Sequence, residues 1–237
     1  MRYPNTVEAV FRSRPNRFIA KVEIDGREET VHVKNTGRCR ELLTDGARVY
    51  LTRSDNPSRR TSYDLIAVEK PREGKKPLVV NIDSQAPNTV AAEWLLESGL
   101  FSRNAVIRRE VTRGNSRFDF MIEDNGRITY LEVKGCTLET DGVALFPDAP
   151  TERGVKHVDE LTALAESGTG AAILIVIQMK GVTKFKPNYR THRAFGEALS
   201  RAKAAGVSIF AVDCTVTPGE LDIDSFIDVE LSEGDFK

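Results

Sequence analysis

The chain has 237 residues, 40% of them hydrophobic and 29% charged, with a formal net charge of −1. That length supports one large domain or two modest ones. No apolar run is long enough to span a membrane, and the start (Met1-Arg2-Tyr3-Pro4-Asn5) lacks the apolar stretch of a signal peptide. Cys39, Cys136 and Cys214 are odd in number and far apart, which argues against a zinc cluster and suits free thiols in a reducing cytoplasm. His32, His157 and His192 are too few for a histidine-rich metal site. The near-zero charge conceals a division. Residues 1–80 carry 17 Lys and Arg against 11 Asp and Glu, whereas residues 81–237 carry 17 against 24. A basic first part suits a polyanion, and an acidic second part suits cations.

Residues 1–82 read as a β domain. Arg17 to Ile24 alternates with period two and ends at Asp25-Gly26, a hairpin turn into Glu29 to Val33. Asn35 to Leu43 reads as a turn leading into a short helix. Ala47 to Thr52, Tyr63 to Glu69 and Leu78 to Ile82 read as further short strands. Five strands with a small helical insert in a basic segment predict an OB-like β-barrel, a fold often used on nucleic acids. Arg38, Arg40, Arg59 and Arg60 are its candidate phosphate contacts.

Residues 83–237 predict an α/β domain: a mixed sheet flanked by helices. Asn88 is placed to cap a helix over Thr89 to Glu97, on which Glu93 is either solvated or a third acidic ligand. A strand over Ala105 to Glu110 leads into the hairpin Arg117 to Lys134. Its Asn125-Gly126 turn fixes a register in which facing positions sum to 251, so Asp119 faces Glu132. Alternation then places Phe118, Phe120, Ile122, Leu131 and Val133 on one face. Asp119, Glu132 and Lys134 share the other, with Met121 and Tyr130.

Two facing carboxylates repel unless they share a proton or hold a cation, and an all-oxygen pair suits Mg²⁺ or Mn²⁺. Lys134 would then position or deprotonate a water. Acid, hairpin and acid-x-lysine form the constellation of a metal-dependent phosphodiesterase, set against the plain alternative of a charged surface hairpin.

After a long excursion, Thr151 caps a helix running to about Glu166, with Val155, Val158, Leu161 and Ala165 as its apolar stripe. Arg153, Lys156 and His157 sit in its first turns against the helix dipole, as phosphate-binding groups would. Ala171 to Met179 reads as a strand buried on both faces. Lys180, Lys184, Lys186, Arg190 and Arg193 form either a second basic patch or a solvated loop. A helix over His192 to Ala205, a strand over Val207 to Asp213 and a last edge strand over Phe226 to Leu231 complete the domain.

Several of these stretches resemble the sugar fermentation stimulation protein A (SfsA) family. They are Phe118-Asp119, Glu132-Val133-Lys134 and above all Phe146 to His157, with Asn35 to Arg38, Tyr63 to Ile66 and Ile82 to Asn88 in support. The resemblance spans nearly the full chain. It implies an N-terminal OB-fold and a C-terminal restriction-endonuclease-like domain of the PD-(D/E)xK type. It also implies a DNA-binding protein linked in bacteria to regulation of sugar (maltose) metabolism. By position the motif falls on Asp119, Glu132 and Lys134, with the Val133 carbonyl a further metal ligand. One departure stands out: family members commonly carry Asp-Pro ahead of a Phe where this chain has His192-Arg193-Ala194 before Phe195. The expectations are therefore a cytoplasmic DNA-binding protein with a Mg²⁺- or Mn²⁺-dependent nuclease site at Asp119, Glu132 and Lys134. The alternatives are a non-catalytic DNA-binding regulator on a nuclease scaffold, or an RNA-binding protein. Monomer and homodimer are both compatible with the sequence.

Overall fold

The computed structural model describes residues 1–35 and 37–233. Thr36 of the Asn35 to Leu43 stretch, and residues 234–237, lie outside the described residues. The first part builds six strands: β1 (Thr6–Asn16), β2 (Ile19–Ile24), β3 (Arg27–Val33), β4 (Arg48–Arg53), β5 (Tyr63–Lys70) and β6 (Leu78–Asn81). β1 pairs antiparallel with β2 and β4, β2 with β3, and β4 with β5; a parallel pairing of β3 with β5 closes the ring. Five strands closed in this order make an OB barrel, with β6 added alongside β5.

Two features differ from the sequence reading. β1 is an extra strand, in which Ala9 and Phe11 point inward while Arg12-Ser13-Arg14-Pro15 hides the alternation. The expected helix after Asn35 is only a turn, in which Leu42 and Leu43 donate to the Cys39 carbonyl. The reason lies in Arg14. Its guanidinium donates to the carbonyls of Arg17, Asn35, Gly37 and Arg38 at 2.6–2.8 Å, holding the segment away from helical pairing.

The second part begins with helix α1 (Ala86–Trp94). It starts before Thr89 because Pro87 sits in the first turn, where a missing N–H leaves no bond unmade. Asn88 is therefore inside the helix and does not cap it. Three strands follow, β7 (Val106–Arg113), β8 (Ser116–Asp124) and β9 (Arg127–Cys136). The excursion after Cys136 contains a hairpin, β10 (Leu138–Thr140) and β11 (Val143–Phe146). Helix α2 (Glu152–Glu166), β12 (Gly170–Ile177), β13 (Lys184–Pro187), helix α3 (Tyr189–Ala204), β14 (Ser208–Thr217) and β15 (Glu220–Val229) complete the part.

These strands form one mixed sheet in the order β10-β11-β13-β15-β14-β12-β9-β8-β7. β12 lies parallel between β9 and β14, and its Ala171 to Ile177 is buried throughout, as its unbroken apolar run predicts. β15 is not an edge strand. β13 pairs with it, and through β13 the sheet continues to β11 and β10. Packed on one face, α1 joins Val90 and Leu95 to Phe120, Ile122, Leu131 and Val133. On the other, α2 and α3 join Val158, Leu161 and Phe195 to Met121 and Tyr130.

The two parts meet through a buried polar cluster. Asn81 N–H donates to the Gln178 carbonyl at 2.9 Å, and Gln178 Nε2 donates to Asn81 Oδ1 (2.8 Å) and the Asp83 carbonyl (3.0 Å). Tyr3 Oη donates to Asp83 Oδ2 at 3.2 Å, and Lys34 pairs with the same oxygen at 2.7 Å. Cys39, Cys136 and Cys214 are buried free thiols. Among the described residues no helix is long and apolar enough to cross a membrane.

Candidate functional site: two carboxylates, a lysine and a histidine

The β8–β9 hairpin positions the site. Asn125 and Gly126 adopt φ of 49° and 75°, as a tight two-residue turn requires. The ladder runs from Asp124↔Arg127 to Phe120↔Leu131, with facing positions summing to 251 throughout. It ends one step short of Asp119 and Glu132. There Asp119 Oδ2 accepts the Val133 N–H at 2.8 Å, a carboxylate standing where a partner carbonyl would be. Breaking the ladder changes the alternation, so Phe118 does not join Phe120. It lies against Tyr130, ring centroids 5.4 Å apart, in the core under α2.

Asp119 is fixed from a second side by a residue the sequence reading took for a cap. Asn88 Nδ2, on the first turns of α1, donates to Asp119 Oδ1 at 2.7 Å. Burial, and then the charge of Glu132, push the Asp119 carboxyl above the ordinary aspartate range; the Val133 and Asn88 bonds oppose this without cancelling it.

Glu132 is 4% exposed. One of its oxygens, Oε1, accepts both Lys134 Nζ (2.6 Å) and His157 Nδ1 (2.5 Å). Burial alone would raise the Glu132 carboxyl, but these two partners outweigh it and hold the group below its usual range. The other oxygen, Oε2, is buried and has no hydrogen-bond partner. A buried unpartnered carboxylate oxygen is costly; Arg14 Nε and Glu160 Oε2 are further buried atoms of this kind.

α2 delivers His157. Thr151 caps this helix, its Oγ1 accepting the Gly154 N–H at 3.0 Å, as the sequence predicts. One turn further on, His157 is buried, not a surface phosphate contact. Arg153 Nε donates to His157 Nε2 at 3.4 Å, so Nε2 is the acceptor and Nδ1 carries the proton given to Glu132. Arg153, His157 and Glu132 thus form a short chain leading inward from an exposed guanidinium. Lys156 is exposed, 3.8 Å from Glu160.

The other predicted groups divide. Arg38, Arg40 and Arg60 are exposed. Arg59 is bound to Asp64 through both guanidinium nitrogens, at 2.6 and 2.9 Å, and so serves the barrel's own structure. Glu93 pairs with the Met1 amine at 2.7 Å and is not a third acidic ligand. Lys180 pairs with Asp213 and Asp224, Lys184 and Lys186 with Glu230, and Arg193 with Glu233, so these four are offset by acids from β14, β15 and the residues after it, whereas Arg190 is exposed. His192 lies at a kink in α3 and reaches back to α2: Thr151 N–H donates to its Nδ1 at 3.3 Å, and its Nε2 lies 3.1 Å from Glu152. The departure from the family pattern thus meets the start of α2.

A cleft of about 330 Å³ is lined by Asn35, Ser84, Gly135, Asp148 and Thr151 among others, and by none of the four site residues. Gly135, next to Lys134, has no room for a side chain: a Cβ would lie 2.6 Å from Gln178 Oε1 and 2.7 Å from Pro87 Cγ. A cleft of about 800 Å³ at the turn end of the hairpin holds Arg113 and Arg127 but none of the four site residues. As metal donors the site offers two carboxylates. Among the described residues no group of three or more His, Cys, Asp and Glu side chains is arranged to hold a metal.

Asp119 makes a contribution of its own to the pH dependence of stability, opposite in sign to that of the paired carboxylates Asp64, Glu132 and Glu139. The folded chain holds the Asp119 proton more tightly than the unfolded chain does, so ionised Asp119 costs stability above the ordinary range near 3.8, and the cost disappears below it. Without metal, Asp119→Asn is expected to raise Tm at pH 7, the gain vanishing as the pH falls through that range. Thermal melts of both proteins across pH 3–8 check this, and a variant less stable at pH 7 would contradict it.

An OB barrel joined to a mixed sheet, with a buried pair of acids held by lysine and histidine, defines a two-part class of protein. Family models place the chain within it: "SfsA N-terminal OB domain" matches residues 13–80 and "Sugar fermentation stimulation protein RE domain" matches residues 85–220. The chain belongs to the sugar fermentation stimulation protein family. A "Sugar fermentation stimulation protein homolog" of Desulfitobacterium hafniense (strain Y51) is 53% identical over 234 residues, 99% of this chain and 100% of that protein. Another, from Clostridium beijerinckii, is 48% identical over 231 residues, 98% of this chain and all of that protein. The solved structure of Pyrococcus furiosus SfsA in complex with Ca²⁺ is similar over 97% of this chain and 98% of that one, with a TM-score of 0.84 and 31% identity.

Proposed function

We propose that this chain binds DNA and cleaves it at a divalent-metal-dependent phosphodiesterase site formed by Asp119, Glu132 and Lys134. The observation that carries the reading is Glu132 Oε2, buried and unpartnered while Lys134 and His157 hold the other oxygen. The donor set suits a hard cation. Mg²⁺ and Mn²⁺ take oxygen ligands, and Mg²⁺ keeps several waters, so two carboxylates and a backbone carbonyl such as that of Val133 suffice. The relative from Pyrococcus furiosus is described in complex with Ca²⁺, another cation of this kind. When bound, the metal would supply Lewis-acid stabilisation of phosphate charge and a more acidic water.

The chain's own groups do the rest. Asp119 and Glu132 present oxygens of like charge, which a cation relieves. Lys134, held by Glu132, directs an ammonium toward the reacting phosphate and its water. Arg38, Arg40 and Arg60 offer exposed charge to the backbone of the polyanion, a grip that weakens as salt rises.

The test is an incubation of the full chain with single- and double-stranded DNA and RNA in Mg²⁺, Mn²⁺ or EDTA, beside Asp119→Asn. Cleavage in metal, absent in EDTA and lost in a variant that melts no lower than the parent, is the expected result. Binding with no cleavage of any substrate would overturn the enzyme reading and leave a DNA-binding scaffold.

A further inference from the structure

A cleft of about 550 Å³ lies on the barrel away from the carboxylates, at one end of β2 and β3. Phe18 from the β1–β2 turn, Ile19, His32, and Arg60 with Thr61 from the β4–β5 loop line it. In OB barrels this face and these two loops are where oligomeric ligands lie.

Phe18 is 44% exposed, and the Arg17 guanidinium sits over its ring, 4.8 Å from the centroid. A lone exposed phenylalanine means little. This one borders a cleft, carries a cation on one side, and shares the cleft with Arg60, which has no ion-pair or hydrogen-bond partner among the described residues. The acid in the cleft, Asp64, is neutralised by the bidentate Arg59 pair and hydrogen-bonded to His32 Nδ1 at 2.9 Å, so the cleft does not repel anions. A flat ring with one guanidinium stacked on it and an unpaired one lining the same cleft matches a base and its phosphate.

The cleft also leads somewhere. Asn35 and Ser84 line both it and the smaller cleft at Gly135 and Thr151, which flank Lys134 and the start of α2. A strand lying across Phe18 and past these two residues would enter the smaller cleft, which reaches Gly135, the neighbour of Lys134 in sequence. We propose that this barrel face binds single-stranded nucleic acid, with Phe18 as a base-stacking platform and Arg17 and Arg60 on the flanking phosphates, and feeds the strand toward Asp119 and Glu132. A duplex has its bases already stacked and gains nothing from an exposed ring, so the preference for single strands follows from Phe18 itself.

The proposal rests on the nucleic-acid reading above, and its test separates the two. Fluorescence anisotropy is measured in EDTA, where no cleavage occurs, with labelled oligo-dT, oligo-U and a DNA duplex, on the full chain, Phe18→Ala and Phe18→Trp. Phe18→Ala is expected to weaken binding of at least one single strand about 5- to 150-fold while leaving the duplex unchanged. Phe18→Trp should restore affinity, with indole fluorescence quenched by the bound strand. The oligo-dT and oligo-U arms distinguish DNA from RNA as the source of the strand. Single-strand affinity unchanged in Phe18→Ala, or lowered equally for duplex, overturns the stacking platform and leaves the nucleic-acid reading standing. A parent chain that binds no oligonucleotide at all overturns both.

Discussion

Lys134→Ala is expected to lower the rate of metal-dependent strand cleavage by about 10²–10³-fold, the loss that follows removal of one preorganised charge-stabilising group. The structure gives the reason. Lys134 Nζ is anchored 2.6 Å from Glu132 Oε1, with only 16% of its side chain exposed, so its ammonium is held in place before substrate arrives. An ammonium paired with an acid in this way suits an electrostatic, water-orienting role. Lys134→Arg should not restore the rate, because a planar guanidinium cannot occupy the place of a compact ammonium. Single-turnover cleavage at saturating metal reads the effect, and a melt verifies folding. A rate within threefold of the parent would remove Lys134 from the machinery.

His157→Phe is the second large effect, and its main readout is metal affinity. His157 touches Glu132 and would not touch the ion, so it is a positioning residue. With Lys134 it draws Oε1 to one side and leaves Oε2 free. Phenylalanine fills similar space but donates nothing, and a buried Oε1 with one donor fewer can turn. Partners of this kind typically contribute 10- to 100-fold in metal affinity or activity. Calorimetric titration with Mn²⁺ is expected to show a loss of that size, and His157→Gln, whose amide still donates, should recover part of it. Unchanged affinity in a folded His157→Phe would mean the histidine only fills space.

Much of this site was legible because a two-residue turn sets parity without help from the rest of the fold. Asn125-Gly126 fixed every facing pair from Asp124 to Phe120, but not the next: the ladder breaks before Asp119 and Glu132, where Asp119 turns to the Val133 N–H and to Asn88. Thr151 and the unbroken apolar run in β12 were equally local signals. What escaped depended on partners distant in sequence. Asn88 lies 31 positions from Asp119, and a polar stretch ahead of a helix reads as a cap whether or not an acid waits across the gap. His157 sits among charged neighbours that suggest a surface, yet its i−3 and i+4 positions, Gly154 and Leu161, are buried with it; that spacing was the available signal. Arg59 looked like a phosphate contact because its partner Asp64 was assigned only to a strand. The short strands β10, β11 and β13 were missed because three or four residues are too few for a period to stand out, and such segments pair only when the sheet offers them an edge.

The cluster of Tyr3, Asn81, Asp83 and Gln178 bears on how this protein melts and how it could be divided. Asn81, Asp83 and Gln178 are almost wholly buried, and each draws partners from across the junction. Separating the barrel from the sheet would strand these groups, each unsatisfied one costing about 1–3 kcal/mol. Family models recognise two modules, but neither carries a finished surface where the other sits. The junction is therefore expected to couple their melting into a single cooperative transition, and truncation at the module boundary is expected to destabilise the module it was meant to isolate.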